Sequence, residues 1–486
     1  MFKSFVLPLL LCAFTAQVFA QIDPNQLVNE EKMKPRGQRY ESNVPDTLDL
    51  AEQARLALNN QVNNMEPTQA YCVYQVFTFG NPPVQGGLTW NLPVKNARGL
   101  PVLRVMCGSE QGLDTEAALM RTLLGQIKED GLMYVPVEND GAPKDTAYPN
   151  ASGMLIQAAK NWFERDGNPE WLKVIQTVGK ALADIAIKVE DRAYYPPESG
   201  YQRGQWLWTM RGEATIPYRP PEEPYMEQQG LEGCVKYEQA APLRGLVINH
   251  LLNQDAHCGE VAHKVKNFCL KPGLWEDTSA FGYQGHEHGV FAGHFHGNLT
   301  SLHALLDVAN MENDSWLKQM LREAYEHGKR TGAIRLGWFP GMLRPSAMTW
   351  KEYGRDPKIF LASETCGVAD MLVLAVKMTD SGLGDYWDDV DAIVRNHLTA
   401  QQITDFERMK QLGGAENEAI LKRFWGGFNQ SMEGWINSTA PHLWGCCSSN
   451  GAMGLYYAWH GITRFENGVA RVNLFLNRAS DWMDID

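Results

Sequence analysis

Apolar residues recur at helical spacing along most of the chain. The first such stretch starts at Leu50 and continues through Ala54, Leu56 and Leu58. Further stretches predict helices over 115–129, 151–165, 169–191, 243–253, 299–311, 316–327, 362–379, 387–399 and 451–459. Proline-rich segments such as 218–224 separate them, because proline cannot continue a helix.

This succession of helices, with little strand alternation, predicts an all-α fold. Helices paired into hairpins and closed into a ring, an (α/α)6 toroid, fit the pattern and leave long loops at one end for a site. Other helical packings fit the periodicity equally well, and no fixed short repeat indicates a solenoid. We expect the toroid over residues 47–462, after a polar N-terminal arm over 21–46.

The last stretch of the chain departs from the helical pattern. Residues 468–476 alternate in polarity or are rich in β-branched side chains, which predicts strands. We therefore expect a short β-rich tail over 463–486. Both the start of a truncated β-sandwich and a two-stranded tail fit this segment.

The first 20 residues predict export from the cytoplasm. Lys3 precedes an apolar run that ends in Val18, Phe19 and Ala20, a pattern typical of a signal-peptide cleavage site. The run is short for a membrane span, and no later stretch approaches the roughly 18 apolar residues of a transmembrane helix. We expect a secreted or periplasmic protein that has no membrane anchor once the signal peptide is removed.

Charge and composition narrow the range of partners. The formal net charge is −13, whereas binding to nucleic acid requires clustered lysine and arginine. We therefore expect no nucleic-acid partner. Fifteen tryptophans offer faces on which sugar rings stack, although tryptophan also fills protein cores. The composition does not indicate an oligomeric state.

Two short segments carry side chains that bind metals. Glu364 and Cys366 lie at the start of one predicted helix, and Cys446 and Cys447 lie just before another. Three thiolates and a carboxylate complete a tetrahedral zinc site, and bound Zn²⁺ would keep the sulfurs ionised and nucleophilic. Disulfide bonds are the competing interpretation in an exported chain. For Glu364, an exposed carboxylate at a helix N-terminus is the ordinary interpretation.

Histidines form a second cluster of candidate ligands. His286 and His288 are followed closely by His294 and His296. Buried rings bonded to backbone carbonyls are the structural alternative. The common nucleotide-binding, metalloprotease and esterase motifs are absent from the sequence.

Three features occur together in this sequence: Glu364-Thr365-Cys366, a predicted helix over 387–396, and the pair Cys446-Cys447 before another helix. Their combination resembles glycoside hydrolase family 127, the β-L-arabinofuranosidase family of the six-hairpin glycosidases. The resemblance covers roughly residues 45–480 and includes weaker likenesses at 130–136 and 296–300. It implies a toroidal catalytic domain that acts on carbohydrate.

The resemblance also implies a mechanism. Glu364, Cys366, Cys446 and Cys447 would hold the zinc ion, and Cys446 would attack the anomeric carbon. The thioglycosyl intermediate would then be hydrolysed with retention of configuration, so that one difficult displacement becomes two easier ones. The expected substrates are terminal sugars such as β-L-arabinofuranosides.

The same resemblance implies roles for residues beyond the metal ligands. Glu352 would be the acid that protonates the leaving oxygen, and His294 and His296 would contact the sugar. Asp391 stands where the family has a glutamate that contacts the sugar, and its side chain is shorter. The interval from Glu352 to Glu364 is also a few residues shorter than in the family.

Two other functions fit the same residues. A non-catalytic toroid would bind carbohydrate and keep the cysteines as a structural metal site or as disulfides. A polysaccharide lyase would use a tyrosine or histidine base to remove a proton beside a uronate carboxylate, since toroids host lyases too. The deciding observation is whether the three sulfurs and the Glu364 carboxylate meet at one point inside the ring. If they do, the hydrolase is favoured over the other two functions.

Overall fold

A computed structural model of the 486-residue chain shows a protein built mainly of helices. It describes residues 22–35, 48–89, 91–136, 144–196, 199–208, 216–217, 237–270, 293–343, 363–430, 442–466 and 468–478. The predicted signal peptide and the candidates Glu352, His286 and His288 lie outside these described residues.

The helices and strands have the following bounds. The α-helices are α1 (Pro24–Leu27), α2 (Glu30–Met33), α3 (Leu50–Asn63), α4 (Leu92–Cys107), α5 (Leu113–Gly125), α6 (Pro149–Asp166), α7 (Glu170–Ile185), α8 (Tyr237–Asn253), α9 (Ala256–Cys269), α10 (Phe295–Glu312), α11 (Ser315–Thr331), α12 (Thr365–Asp380), α13 (Trp387–Ile393), α14 (Phe406–Gly413), α15 (Glu418–Phe424) and α16 (Gly445–Gly461). The strands are β1 (Met65–Glu66), β2 (Cys72–Thr78), β3 (Val84–Thr89), β4 (Ile187–Val189), β5 (Arg192–Tyr194), β6 (Ser199–Gln202), β7 (Gln205–Trp208), β8 (Ile216–Pro217), β9 (Gly293–His294), β10 (Met342–Leu343), β11 (His442–Trp444), β12 (Thr463–Glu466) and β13 (Val469–Val472).

Six of these helices form a closed inner ring. In the order α4, α6, α8, α10, α12 and α16, each packs against the next, and α16 packs back against α4. The helices α3, α5, α7, α9, α11 and α13 pack against members of this ring. The predicted (α/α)6 toroid is therefore confirmed.

Inner and outer helices bury different parts of their surface. The outer helix α11 buries one face, which includes Leu317, Leu321 and Tyr325. The inner helix α12 instead buries nearly every position from Thr365 to Met378. A helix that is apolar on all sides has to lie inside a larger structure. The distribution of apolar residues around each helix therefore indicates that α11 belongs to the outer layer and α12 to the inner ring.

The two ends of the ring differ in the length of their connections. At one end, inner helices pass to outer helices through short turns, which occupy 167–169, 254–255 and 313–314. At the other end, where the inner helices begin, many more residues separate an outer helix from the next inner helix, as between Gly125 and Pro149 and between Cys269 and Phe295. Long connections on a rigid scaffold often carry functional residues, so we expect the site at this end.

A small antiparallel sheet lies at that same end. Strand β2 pairs with β1, β3 and β11, with Trp444 opposite Val76. Because β11 runs directly into α16, the sheet fixes the point at which α16 begins. The sequence pattern did not predict this sheet.

The two ends of the described chain carry smaller elements. In the predicted arm, α1 and α2 pack against α5 and bury Leu27 and Met33. After the ring, β12 and β13 form a hairpin, in agreement with the predicted β-rich tail. Among the helices of the described ranges, none combines the length and apolar character needed to span a bilayer.

A buried ion-pair network joins α4, α5 and α6. The Glu116 carboxylate accepts hydrogen bonds from Arg104 Nε at 2.5 Å and from Arg165 Nη1 at 2.6 Å. We expect Glu116→Gln to lower the free energy of unfolding by about 3 kcal/mol, because it leaves two buried guanidinium groups without a counter-charge. Denaturant unfolding measures the loss. The exposed pair Glu164 and Lys160 gives the control, since Glu164→Gln should change stability by less than about 0.5 kcal/mol. Equal losses in the two variants would contradict the prediction.

Candidate metal centre

Four side chains that stand far apart in the sequence meet at the mouth of the ring. One ligand atom from each of Glu364, Cys366, Cys446 and Cys447 lies within 4.8 Å of the others. The Sγ atoms of Cys366 and Cys447 are 3.6 Å apart, well beyond the S–S bond length of about 2.05 Å. The predicted convergence is present, and this arrangement can bind a metal ion.

Disulfide bonds, the competing interpretation, do not involve these cysteines. Cys258, which lies outside the cluster, is also a free thiol. Cys234 lies outside the described residues.

The donor set fits a tetrahedral ion of the zinc type. An ion about 2.3 Å from each sulfur holds two tetrahedral sulfur ligands about 3.8 Å apart, close to the 3.6 Å between Cys366 and Cys447. Thiolates select soft and borderline metals over Ca²⁺ and Mg²⁺. Cys366 and Cys447 are fully buried, whereas Cys446 is partly exposed. Cys446 is therefore the sulfur that a ligand in the ring can reach.

Helix N-termini position all four ligands. Glu364 is the N-cap residue of α12 and Cys366 lies in its first turn, while Cys446 and Cys447 lie in the first turn of α16. Free backbone N–H groups and the helix dipole stabilise negative charge at these positions. Gly445 directly precedes the cysteine pair, and an added Cβ at this position would lie 2.8 Å from the Tyr74 carbonyl oxygen. Glycine allows this close approach of strand and helix.

Hydrogen bonds among the sulfurs distinguish Cys446 from its neighbours. The Cys366 and Cys447 thiols donate to Cys446, which lowers the pKa of Cys446 well below its usual range, and Lys95 adds to this effect. Burial raises the pKa of Cys366 and the pKa of Cys447. The negative charge of the sulfur cluster is thus concentrated on its most accessible member.

One of the histidines predicted to contact sugar touches a candidate metal ligand. His294 Nε2 lies 2.5 Å from Glu364 Oε2. A hydrogen bond to a ligating carboxylate fixes its orientation, so His294 would leave the other oxygen of Glu364 to face an ion. The imidazole is 20% exposed, so it also lies within reach of the cleft.

The second histidine lies in a buried network one turn below the cluster. His296 Nδ1 is 2.5 Å from Asp370 Oδ2, and Asn450 Nδ2 is 3.5 Å from His296 Nε2. Arg98 donates to Asn450 Oδ1 at 3.1 Å and to Gln157 Oε1 at 3.1 Å. Burial lowers the pKa of Arg98 to about 10. Burial alone would raise the pKa of Asp370, but its interactions with His296, His303 and Arg98 hold this pKa below its usual value.

This network was not predicted from the sequence, although a signal for it exists. Asp370 stands four residues after Cys366, and Asn450 stands four residues after Cys446. Residues at this spacing lie on one face of a helix, so both polar side chains extend the site along the inside of the ring.

The remaining predicted site residue lies in another environment. Asp391 accepts a hydrogen bond from Arg395 Nε at 2.7 Å, and Arg395 Nη2 donates to the Phe475 carbonyl at 2.6 Å. These contacts join Asp391 to the segment that follows β13. Within the described residues, no recorded contact joins Asp391 to the sulfur cluster. Sugar contacts by His294, His296 and Asp391 stay predictions.

Comparison with known proteins identifies the fold. Neither a protein-family model nor a curated protein matches the chain. An unsaturated glucuronyl hydrolase specific for heparin aligns over 85% of this chain and 97% of its own, at 11% identity and a TM-score of 0.51. A cellobiose 2-epimerase from Spirochaeta thermophila DSM 6192 aligns over 84% of this chain and 95% of its own, at 12% identity and a TM-score of 0.53. The chain therefore shares the (α/α) toroidal fold of these two enzymes.

A likeness to family 127 is also present, but it is weaker. A GH127 β-L-arabinofuranosidase from Geobacillus stearothermophilus T6 aligns over 89% of this chain and 62% of its own, at 14% identity and a TM-score of 0.49. A likeness at this level does not assign the chain to that family. Membership of family 127 stays a prediction from the sequence motifs.

Proposed function

We propose that this protein is a zinc-dependent, retaining glycoside hydrolase whose nucleophile is Cys446. The observation that carries the proposal is the convergence of three sulfurs and one carboxylate at the mouth of a glycosidase-type ring. This set resembles the ligands of family 127, and the fold is one that acts on carbohydrate in the solved structures named above.

The four ligands would have different tasks. Glu364, oriented by His294, and the buried Cys366 and Cys447 would hold the ion, and Cys446 would complete its coordination. When bound, zinc would supply the positive charge that keeps the thiols ionised near neutral pH. Cys446 then presents its sulfur to the inside of the ring.

The proposed reaction has two displacements at the anomeric carbon. The Cys446 sulfur forms a C–S bond as the C–O bond to the leaving group breaks, and Glu352, as the resemblance implies, protonates the leaving oxygen. Water then attacks the same carbon, the C–S electron pair returns to sulfur, and the carboxylate of Glu352 takes the proton of the water. Two inversions give net retention.

The proposed substrates are terminal sugars such as β-L-arabinofuranosides in plant or microbial polysaccharide. This choice rests on the resemblance to family 127, because one fold hosts many chemistries. We also propose that the protein is secreted or periplasmic, since its first 20 residues have the pattern of a signal peptide and its substrates would lie outside the cell.

A panel of aryl glycosides tests the proposal on the purified protein. We expect hydrolysis of at least one neutral terminal sugar, a first product of retained configuration by proton NMR, and an acid-quenched enzyme heavier by one sugar on the Cys446 peptide. Sugar binding without turnover would favour the non-catalytic toroid. An unsaturated product with ultraviolet absorbance would favour a lyase. Either result would contradict the proposal that this protein is a glycoside hydrolase.

A further inference from the structure

Residues 426–430, which form the bridging segment, connect the two halves of the candidate metal centre. On one side, Gly426 N donates to the Ile403 carbonyl and Ile403 N donates to the Gly427 carbonyl, each at 2.9 Å. On the other side, the segment pairs with residues that lead into the ligand-bearing helices α12 and α16. The bridging segment therefore contacts both halves of the site.

Asn429 makes a hydrogen bond to each half. Its backbone carbonyl accepts from Thr365 Oγ1 at 2.8 Å, and Thr365 stands between the ligands Glu364 and Cys366. Its side-chain Oδ1 accepts from His442 N at 2.9 Å, and His442 begins β11, which runs into the cysteine pair. A single residue thus joins the two ligand-bearing segments.

The residues on either side of this asparagine reinforce both connections. Gln430 forms an antiparallel bridge with Glu364, and Gln430 N donates to the His442 carbonyl at 3.1 Å. Phe428 N donates to Ser448 Oγ at 3.3 Å, and Ser448 directly follows the cysteine pair in α16. Three consecutive residues therefore contact the starts of α12 and α16.

The packing surfaces of α12 and α16 approach closely over small side chains. A Cβ on Gly454 would lie 3.0 Å from the Ala369 Cβ. Large side chains that fit into grooves align packed helices, whereas small ones resist sliding along the helix axis only weakly. A functional site tolerates displacements of about 0.5 Å, so the 3.6 Å between the sulfurs of Cys366 and Cys447 has to be held closely. The hydrogen bonds of the bridging segment supply directional contacts that fix this alignment.

The polar groups of this connection form a buried network. Thr365, Asn429 and Gln401 are fully buried, and Asn429 N donates to the Gln401 carbonyl at 2.8 Å. Gln401 Nε2 lies 2.8 Å from His397 Nε2, which is 2.9 Å from Ser363 Oγ. Ser363 and Thr365, the two neighbours of the carboxylate ligand, are thus both anchored. Buried polar networks of this kind rigidify a structure and specify one geometry.

We infer that the bridging segment sets the spacing of the metal ligands, and that Asn429 is a positioning residue that holds the starts of α12 and α16 in register. The inference rests on the proposed metal-dependent function and deepens it. Asn429 is not itself one of the four candidate ligands and acts through Thr365 and His442. Ligands that the fold has already gathered bind a metal more tightly, because less conformational entropy is lost on binding.

A role in stability alone is the alternative use of the same contacts. Ile403 and Leu443, which pair with the bridging segment, belong to a small apolar core together with Phe77 and Phe424. That core stabilises the segment, whereas the hydrogen bonds of Asn429 are directed toward the ligand-bearing chain. The two roles differ in what they change, since a role in stability alone leaves the affinity and spectrum of a bound metal unaltered.

Cobalt binding by Thr365 variants tests the inference independently of turnover. Thr365→Val keeps the β-branched shape of the side chain but removes the hydroxyl that bonds to Asn429. Metal-free protein is titrated with Co²⁺ against a competing chelator, and the sulfur-to-cobalt charge-transfer absorbance reports occupancy. We expect the dissociation constant of Thr365→Val to rise about tenfold, at the lower end of the effect of removing groups that orient metal ligands. Thr365→Ser keeps the hydroxyl and should bind cobalt as the wild type does.

Asn429→Ala tests the connection to the other half of the site. It removes the Oδ1 acceptor of His442 N and keeps the backbone carbonyl that Thr365 reaches. We expect its dissociation constant for Co²⁺ to rise by about tenfold or more. The visible absorbance of the bound cobalt should also weaken, because tetrahedral Co²⁺ absorbs more strongly than Co²⁺ in a looser arrangement of higher coordination number.

Thr122→Val provides the matched control. Thr122 lies on the outer helix α5, and its hydroxyl donates to the Ala118 carbonyl at 2.9 Å. The variant removes the same kind of hydrogen bond from a helix that packs against α1, α2 and α4, so it should leave cobalt affinity unchanged. Thermal unfolding of each metal-free variant, compared with the metal-free wild type, measures any general loss of stability.

The outcomes distinguish the inference from the proposal on which it rests. Tenfold weaker binding by Thr365→Val with rescue by Thr365→Ser supports the inference, also where Asn429→Ala does not fold. Wild-type affinity in Thr365→Val, an equal loss in Thr365→Ser, or the same loss in Thr122→Val overturns the inference alone. If the wild-type protein shows no charge-transfer band, the metal-dependent function itself has failed, and the inference fails with it.

Discussion

Replacing Cys446 with serine is expected to lower kcat/KM for glycoside hydrolysis by about 10⁴-fold or more, the usual scale for loss of a nucleophile. Cys446 is the one partly exposed sulfur of the cluster, whereas Cys366 and Cys447 are fully buried. A serine hydroxyl stays protonated where the thiol ionises, so the first displacement fails. Steady-state rates on an aryl glycoside measure the loss, and intact-protein mass spectrometry should show no sugar adduct.

Cys447→Ser provides the comparison for this prediction. Cys447 is buried behind the accessible sulfur and would only hold the ion. Excess zinc should therefore restore part of the activity of Cys447→Ser and none of that of Cys446→Ser. Turnover by Cys446→Ser above about a tenth of the wild-type rate would exclude Cys446 as the nucleophile.

Removal of the metal is expected to abolish turnover and to destabilise the fold. Four ligand groups that repel one another when ionised are held within 4.8 Å, and a bound ion removes this repulsion. Binding to the folded state alone adds stability, about 4 kcal/mol at a free metal concentration a thousand times the dissociation constant. Elemental analysis should find one zinc per chain, and dialysis against a chelator should lower the thermal unfolding midpoint.

Re-addition of different ions provides the control for metal removal. Zinc should restore both the unfolding midpoint and turnover, whereas Mg²⁺ and Ca²⁺ should restore neither, because they prefer oxygen ligands. A purified protein that contains no metal, and that a chelator leaves unchanged in stability and rate, would contradict the prediction.

The helices that could be predicted from the sequence are mainly those with a regular apolar period. Each predicted range overlaps an observed helix, and α7 and α11 show the pattern clearly. The range 169–191 extended too far, because α7 ends at Ile185 and the β4–β5 hairpin follows. There the β-branched side chains of Ile187 and Val189 favour an extended strand.

The inner helix α4 was missed for two physical reasons. It is buried on all sides, so its apolar residues show no single face, and it contains Pro101. Proline inside a helix removes a backbone hydrogen bond and usually ends the helix. With α4 unrecognised, the contact of Arg98 with Asn450 and the influence of Lys95 on Cys446 could not be predicted.

The metal ligands themselves were predictable because their chemistry is local. Glu364 and Cys366 stand two residues apart, and Cys446 and Cys447 are adjacent, so each half of the site is visible in a short segment. Their meeting depends on the packing of α12 against α16, which no local pattern encodes. The network of His296, Asp370 and Asn450 depends on the same packing.

Closure of the ring between α4 and α16 also has a consequence for synthesis of the protein. The Arg98–Asn450 contact spans 352 residues, so a growing chain cannot make it until most of the polypeptide has been translated. Contacts between such distant residues slow folding, and incomplete chains expose apolar surface that aggregates. The side of α4 that packs against α16 therefore stays exposed until α16 has been synthesised. For this reason we expect chaperones to assist the folding of this protein.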